Sequence, residues 1–297
     1  MRGLVRELQR SPGDETLWLV LADALLDRGD LRGELITLRH RLSHERLSVE
    51  QIDAIAWRID EVEQQDRRRW QQDIAELPSA MVRWKDGFVD GLQLAWSPHA
   101  QEHLAEWLAH PSGELITSLD FVDDREIGND EAQTLSKWPE LQRLTELGLR
   151  RTHVGAMGAI ELATSPHLAR LQQLDLRGNH IQIEGLRAIV ATASTRALSR
   201  LDIGHNGLGE GAASVIGRAA LPTLSALDLS HNRIGNDGVR LLSAPGALPA
   251  LRELVLGTND IDGEGARALA HAQWWPQLES LTLSQNRLGD PGAAALA

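Results

Sequence analysis

The chain contains no cysteine, which excludes disulfides and cysteine-ligated metal centres and leaves a reducing cytosol as the default compartment. Lysine is nearly missing as well, with Lys85 and Lys137 standing against an arginine-dominated basic set, a usage found in GC-rich bacterial genomes. Positive charge is in deficit: 30 basic side chains face 42 acidic ones, for a net charge of −12. With no basic stripe in the chain, nucleic acid is not the expected partner, since phosphate recognition draws on clustered Lys and Arg. Long apolar runs are lacking too. The start, Met1 to Glu7, reaches charged residues before any stretch long enough for a signal peptide, and no later segment could span a bilayer, so a cytoplasmic protein without membrane contact is expected. A phosphate loop, a dinucleotide fingerprint and a Ser-His-Asp arrangement are also missing, and no cofactor or enzymatic activity is expected.

What the sequence does contain is a repeat. Leu171, Leu174, Leu176, Asn179 and Ile181 are followed in the same spacing by Leu198, Leu201, Ile203, Asn206 and Leu208, and then by Leu224, Leu227, Leu229, Asn232 and Ile234. Two further copies run through Leu251, Leu254, Leu256, Asn259 and Ile261 and through Leu278, Leu281, Leu283, Asn286 and Leu288. Weaker copies come earlier, around Leu147 with Thr152 at the Asn position and around Leu119 with Asp124 there, and Gly91-Leu92-Gln93-Leu94 has the look of a first, capping strand. The middle leucines, from Leu92 to Leu281, recur every 26 to 28 residues. A period of this size marks a stacked-repeat architecture.

Leu-x-Leu alternates with period two, which predicts a short strand with leucines inward and the intervening residue outward. The stretches after each Asn, such as Gly238 to Leu242 and Gly265 to Ala270, carry small and apolar residues at helical spacing. One unit buries a handful of leucines at roughly 1.5 to 3 kcal/mol each. Ordering its backbone costs about 1 to 2 kcal/mol per residue, so a unit is stable only when stacked. Asn179, Asn206, Asn232, Asn259 and Asn286 then read as a structural ladder, their amides satisfying turn backbone of the neighbouring coil.

The Asn-x-Ile-Gly-x-x-Gly-Ala form of these units resembles the ribonuclease-inhibitor-like class of leucine-rich repeats, seen also in Ran GTPase-activating proteins. That resemblance covers residues 84–297 as about eight units. It implies an α/β solenoid with parallel strands lining a concave face and helices on the convex face, and it implies little about function.

Residues 1–80 show helical periodicity instead. Asp14 can cap a helix carrying Leu17, Leu21, Ala24 and Leu25 and stopping at Gly29. A second helix is expected through Leu35, Leu38 and Leu42. A capping box at Ser48 to Gln51 then opens a long helix with Ile52, Ile55, Ile59 and Val62 on one face. Leu21 to Ile36, with Ala22, Asp23, Arg28, Gly29, Asp30, Arg32, Gly33 and Glu34, resembles the repeat-companion domain that precedes leucine-rich repeats in myxobacterial and planctomycete proteins. Trp84 to Val89 is similar to the junction that joins that domain to its first strand. The resemblance implies an all-α amino-terminal cap and no particular activity.

The expected site is the strand face. Asp120, Gly148, Asp175, Asp202, Asp228, Val255 and Thr282 lie between strand leucines. Asp175, Asp202 and Asp228 should form an acidic ladder on strands about 4.8 Å apart, answered by Arg150, Arg177 and Arg200. With Gln173 and the equivalent histidines His205 and His231, these residues are the candidate surface for an unidentified protein partner. Regulation of a small GTPase, suggested only by the repeat type, is the alternative. A zinc-dependent hydrolase built on His99, Glu102 and His103, which have the His-x-x-Glu-His form, is a third reading. It is disfavoured because Leu104, Trp107 and Leu108 claim the buried side of that helix, so no metal site is expected. Trp274 and Trp275 are expected to pack between coils. The last residues, Leu296-Ala297, fall midway through an outer helix without a polar cap, which suggests either a truncated chain or an end paired with another chain.

Overall fold

The computed structural model describes residues 2–297 apart from 123, 125, 193–196 and 220. By their internal contacts the residues form two compact units, Met1–Ser118 and Leu119–Ala297.

The first unit opens with four helices, α1 (Arg2–Arg10), α2 (Glu15–Leu26), α3 (Arg32–His44) and α4 (Val49–Asp73). Asp14 caps α2 by accepting from the Leu17 amide, and beyond its end Gly29 takes the left-handed conformation at φ +70°. Ser48 and Gln51 form the reciprocal capping box that starts α4, relieving two of the orphan amides every helix start carries. Along α4, Ile55 and Val62 are buried and Ile59 half-buried, whereas Ile52, expected on the same face, is 44% exposed. The core that α4 covers consists of Leu35, Val62 and Trp70 with Ile59 and Trp84 around them. It begins further along the helix, so the sequence stripe outruns the available core.

After α4 the chain forms a hairpin that the repeat pattern does not announce. Strands β1 (Met81–Lys85) and β2 (Phe88–Gln93) pair antiparallel, with an irregularity at Arg83/Trp84. Asp86 and Gly87 turn between them at φ +51° and +77°, the two left-handed residues a type I′ hairpin requires. Gly91 to Leu94 is therefore the second half of a hairpin rather than an isolated first strand. Helix α5 (Ala100–Ala109) follows, with Leu104 and Trp107 buried and Leu108 half-buried. Leu115 joins Val5, Leu8, Leu21, Ala22, Leu25 and Ile36 in one core, against which Trp18 and Phe88 pack. That shared core is why the division falls at Ser118, past the change of periodicity at residues 80–84.

From β3 (Ser118–Asp120) onward, strands and helices alternate. The elements are α6 (Asn129–Leu135), β4 (Glu146–Gly148), α7 (Ala156–Thr164), β5 (Gln173–Asp175), α8 (Gln182–Ala191), β6 (Arg200–Asp202), α9 (Gly211–Arg218), β7 (Ala226–Asp228), α10 (Gly235–Leu242), β8 (Glu253–Val255), α11 (Gly263–Ala270), β9 (Ser280–Thr282) and α12 (Gly289–Leu296). From β4 to β9 each strand pairs in parallel with the next, and the register aligns Leu147, Leu174, Leu201, Leu227, Leu254 and Leu281. The first five of these, with Leu149, Leu176, Ile203, Leu229 and Leu256, are buried, while Leu281 in the last coil is half-buried. The leucine spine is continuous across the coils. Neighbouring helices approach so closely that a β-carbon on Gly265 would lie 2.6 Å from both Asn236 Oδ1 and Ile261 Cγ2. Glycine is retained there for space, against its cost of about 1 kcal/mol in a helix.

Trp274 is 1% exposed and its Nε1 donates to the Leu242 carbonyl of the preceding coil at 3.0 Å. Trp275 is only half-buried. Trp274→Phe keeps most of the apolar volume and orphans that carbonyl, so a loss of about 1 to 2 kcal/mol is expected, read as a lower urea midpoint by circular dichroism. An unchanged midpoint would mean that the indole contributes volume alone. No helix among the described residues is long and apolar enough to cross a membrane.

Candidate functional site

The strand face of the second unit presents what the leucines leave outside. In register across β4 to β9 lie Gly148, Asp175, Asp202, Asp228, Val255 and Thr282, and two residues earlier Glu146, Gln173, Arg200, Ala226, Glu253 and Ser280. The three aspartates are thus true neighbours on adjacent strands. Each also performs local work not foreseen from the repeat. Asp175 Oδ1 accepts from the Arg177 amide at 2.9 Å, Asp202 Oδ1 from Gly204 at 3.0 Å and Asp228 Oδ1 from Ser230 at 2.7 Å. These Asx turns end each strand and leave the second carboxylate oxygen to face outward.

Arg177 supplies the main answer to the ladder, its Nη1 lying 3.8 Å from Asp202 Oδ2 and 3.4 Å from Asp228 Oδ2. Arg150 is exposed and acts on Asp175 through its field. Arg200, expected to serve the same ladder, instead bonds Glu253 at 2.6 Å. It sits two residues before Asp202 on its strand, level with Glu253 two strands away, and a long guanidinium finds that exposed carboxylate more readily than a half-buried one. Gln173 bonds Glu146 at 3.3 Å, in the same earlier row.

With one nearby guanidinium for three carboxylates, charge is hard to hold here. Burial pushes the Asp202 carboxyl up to about 7, helped by the negative charges of Asp228 and Asp175 on either side and opposed by the Gly204 amide and Arg177. Asp175 is also raised, chiefly by burial, against the pull of the Arg177 amide and the charges of Arg150 and Arg177. At the strand ends, His205 and His231 take left-handed backbone at φ +55° and stack with ring centroids 3.6 Å apart. Burial, His231 and Arg177 all lower the His205 pKa.

Between the aspartates and the histidines the face packs tightly around Gly204, which is buried. Gly204 has no side chain, and a β-carbon there would meet Ser230 Oγ at 2.7 Å, Asp228 Oδ1 at 3.2 Å and Asp202 Oδ1 at 3.4 Å. Ser230 is 4% exposed and its hydroxyl has no hydrogen-bond partner. A buried, unpaired hydroxyl costs about 1 to 3 kcal/mol and is uncommon. The repeat pattern does not show it, because Ser230 and Gly204 sit at a variable position.

Behind the strands runs the asparagine ladder. Asn206, Asn232 and Asn259 each donate through Nδ2 to a strand carbonyl of the preceding coil, Leu176, Ile203 and Leu229 respectively, at 2.8 to 2.9 Å. Their Oδ1 atoms accept from Ile181, Leu208 and Ile234 of that coil at 3.2 Å. Asn179 donates to Leu149 at 2.7 Å and accepts from Val154 at 3.0 Å. Asn286 does the same with Leu256 and Ile261 at 2.8 and 3.0 Å. In the weaker copy Thr152 stands in, bonding Leu149 O at 2.8 Å and Asn179 Oδ1 at 3.1 Å.

In the first unit, His99 and Glu102 are bonded to each other at 2.9 Å with side chains 69% and 72% exposed. His99 caps α5 from outside the helix, and its ring lies 6.3 Å from that of His103. The motif is an open surface pair, with nothing around it to exclude water.

The leucine-rich repeat family model matches residues 167–190, 220–243, 248–270 and 276–297, all within the second unit. No curated protein matches the chain. Among solved structures the chain is similar to an internalin from Listeria monocytogenes str. 4b F2365, at 18% identity and a TM-score of 0.41, covering 63% of this chain and 53% of that one. It is also similar to the TLR13-ssRNA13 complex, at 19% identity and a TM-score of 0.39, covering 69% and 31%. A third is Listeria monocytogenes InlP, at 15% identity and a TM-score of 0.32, covering 67% and 44%. The chain thus spans about half or less of the length of each of these proteins. The four matched segments, the parallel strands in leucine register and the alternating helices make residues 119–297 a leucine-rich-repeat solenoid.

Proposed function

We propose that the solenoid is a non-enzymatic scaffold that binds a protein partner through its strand face, and that the row of Asp175, Asp202 and Asp228 receives an arginine or lysine of that partner. The observation that carries this reading is the alignment of Asp175, Asp202 and Asp228 on three adjacent strands, close enough that their charges raise the Asp202 pKa. An incoming cation would neutralise carboxylates that repel each other and stack beside the His205 and His231 rings. Arg177 already spans two of the three carboxylates in the way a partner's guanidinium would.

The test compares partner capture from native lysate by wild type, by an Asp202→Asn/Asp228→Asn double variant and by Asp175→Asn, both of which keep the Asx-turn acceptors. The expected result is one specific protein, held less tightly as salt rises and lost by both variants. A specific partner retained equally by both variants would overturn this assignment of the face.

A further inference from the structure

The first unit holds a cluster unrelated to the strand face. On α3, His40 and His44 lie one turn apart on the same helix face with rings stacked, centroids 4.3 Å apart and 15° from parallel. Antiparallel to α3, α2 begins with Glu15. Its Oε2 lies 3.0 Å from His44 Nε2 and 3.9 Å from His40 Nε2. One ligand atom from each residue falls within 4.8 Å of the others. Among the described residues this is the only group of three or more such side chains to converge so closely.

We propose that Glu15, His40 and His44 form a binding site for a divalent transition-metal ion of the zinc type. The chemistry of the donors argues for it. His44 Nδ1 lies 3.0 Å from the His40 carbonyl, and since a carbonyl only accepts, that nitrogen carries the proton. Nε2 of the neutral ring then offers its lone pair towards Glu15, which is the second-shell arrangement that orients metal-binding histidines. Two imidazoles one helical turn apart supply borderline nitrogen donors and the carboxylate supplies an oxygen, a set that suits zinc, nickel or cobalt over magnesium or calcium.

Zinc bonds nitrogen and oxygen at about 2.0 to 2.2 Å, so tetrahedral ligand atoms stand about 3.3 to 3.5 Å apart. The 3.0 and 3.9 Å separations bracket that value. All three side chains are 31 to 60% exposed, so they can close on an ion by rotamer adjustment and leave the fourth position to water.

Calorimetric titration of the full chain with zinc chloride decides the matter. The expected result is one equivalent bound, with affinity at least ~100-fold lower in His40→Ala/His44→Ala, reduced in Glu15→Gln, and unchanged in His103→Ala and His231→Ala. Cobalt should give a visible tetrahedral d–d absorption that the double variant lacks, and magnesium chloride should give no specific heat. Circular dichroism of each variant checks that its helices are intact. The double variant binding zinc as wild type does would overturn the proposal, and so would a wild type without a stoichiometric binding step.

Discussion

Asn232→Ala is expected to cost the solenoid about 4 kcal/mol. Asn232 is fully buried, and its side chain bonds five backbone groups at once, the Ser230 carbonyl at 3.3 Å among them. Its Nδ2 donates to Ile203 O at 2.8 Å and Leu229 O at 3.2 Å, and its Oδ1 accepts from the amides of Asn206 at 3.1 Å and Leu208 at 3.2 Å. Alanine leaves the Asn206 and Leu208 amides without a partner in a site closed by leucines, at about 1 to 3 kcal/mol each, while Ile203 O keeps Asn206 Nδ2 and Leu229 O keeps Asn259 Nδ2. Against a total stability of about 5 to 15 kcal/mol, this is a large share. The same change at Asn286 should cost much less, because that residue is only half-buried in the last coil and water can replace it. Urea denaturation followed by circular dichroism measures both. Equal losses at the two positions would show that the ladder is not weighted by burial.

Asp202→Asn is expected to stabilise the protein by about 2 kcal/mol at pH 8 and to change little at pH 4. The sign follows from linkage. An unfolded aspartate titrates near its ordinary value of 3.8, while in the folded protein Asp202 titrates at about 7. Between those values the folded state holds a proton that the unfolded state has released, so stability falls as pH rises from about 4 to about 7 and is level above. Three pH units at 1.36 kcal/mol each set an upper limit of about 4 kcal/mol. Residual solvent access to a side chain still 21% exposed brings the expectation down by about half. Asparagine keeps the Oδ1 that accepts from Gly204 and removes only the charge. The depressed His205 contributes a trend of opposite sign, since protonating it in the unfolded state favours unfolding at low pH. The difference between variant and wild type cancels most of that contribution. A variant no more stable than wild type at pH 8 would mean that Arg177 already neutralises the ladder.

The repeat was legible because two rules act at fixed spacing. Leucines at alternate positions must face inward in a strand, and a buried amide must recur wherever a turn leaves backbone groups unpaired. The strand residues from Leu119 to Leu281 follow from those rules alone. The hairpin of β1 and β2 is written in Asp86-Gly87, a strong type I′ signal that lies within the junction-like stretch from Trp84 to Val89. The exposure of Ile52 is not, because helical periodicity says which residues share a face but not where the opposing core ends. On the strand face, the aspartate row was visible in the repeat register. The pairing of Arg200 with Glu253 was not, since a guanidinium reaches across strands to whichever carboxylate is least buried.

The amino-acid sequence by itself determined that this chain stacks parallel strands behind a leucine spine and begins with a separate helical segment, because apolar spacing and capping residues act within a few positions of one another. Only the tertiary structure decided that the buried Ser230 hydroxyl packs unpaired against Gly204 between two aspartates, and that Glu15 meets His40 and His44 across a helix pair. The His40-x-x-x-His44 spacing was there to be seen, but its carboxylate partner lies on another helix. Contacts of that kind depend on how elements pack against one another, and no local pattern in the chain encodes the distance between them.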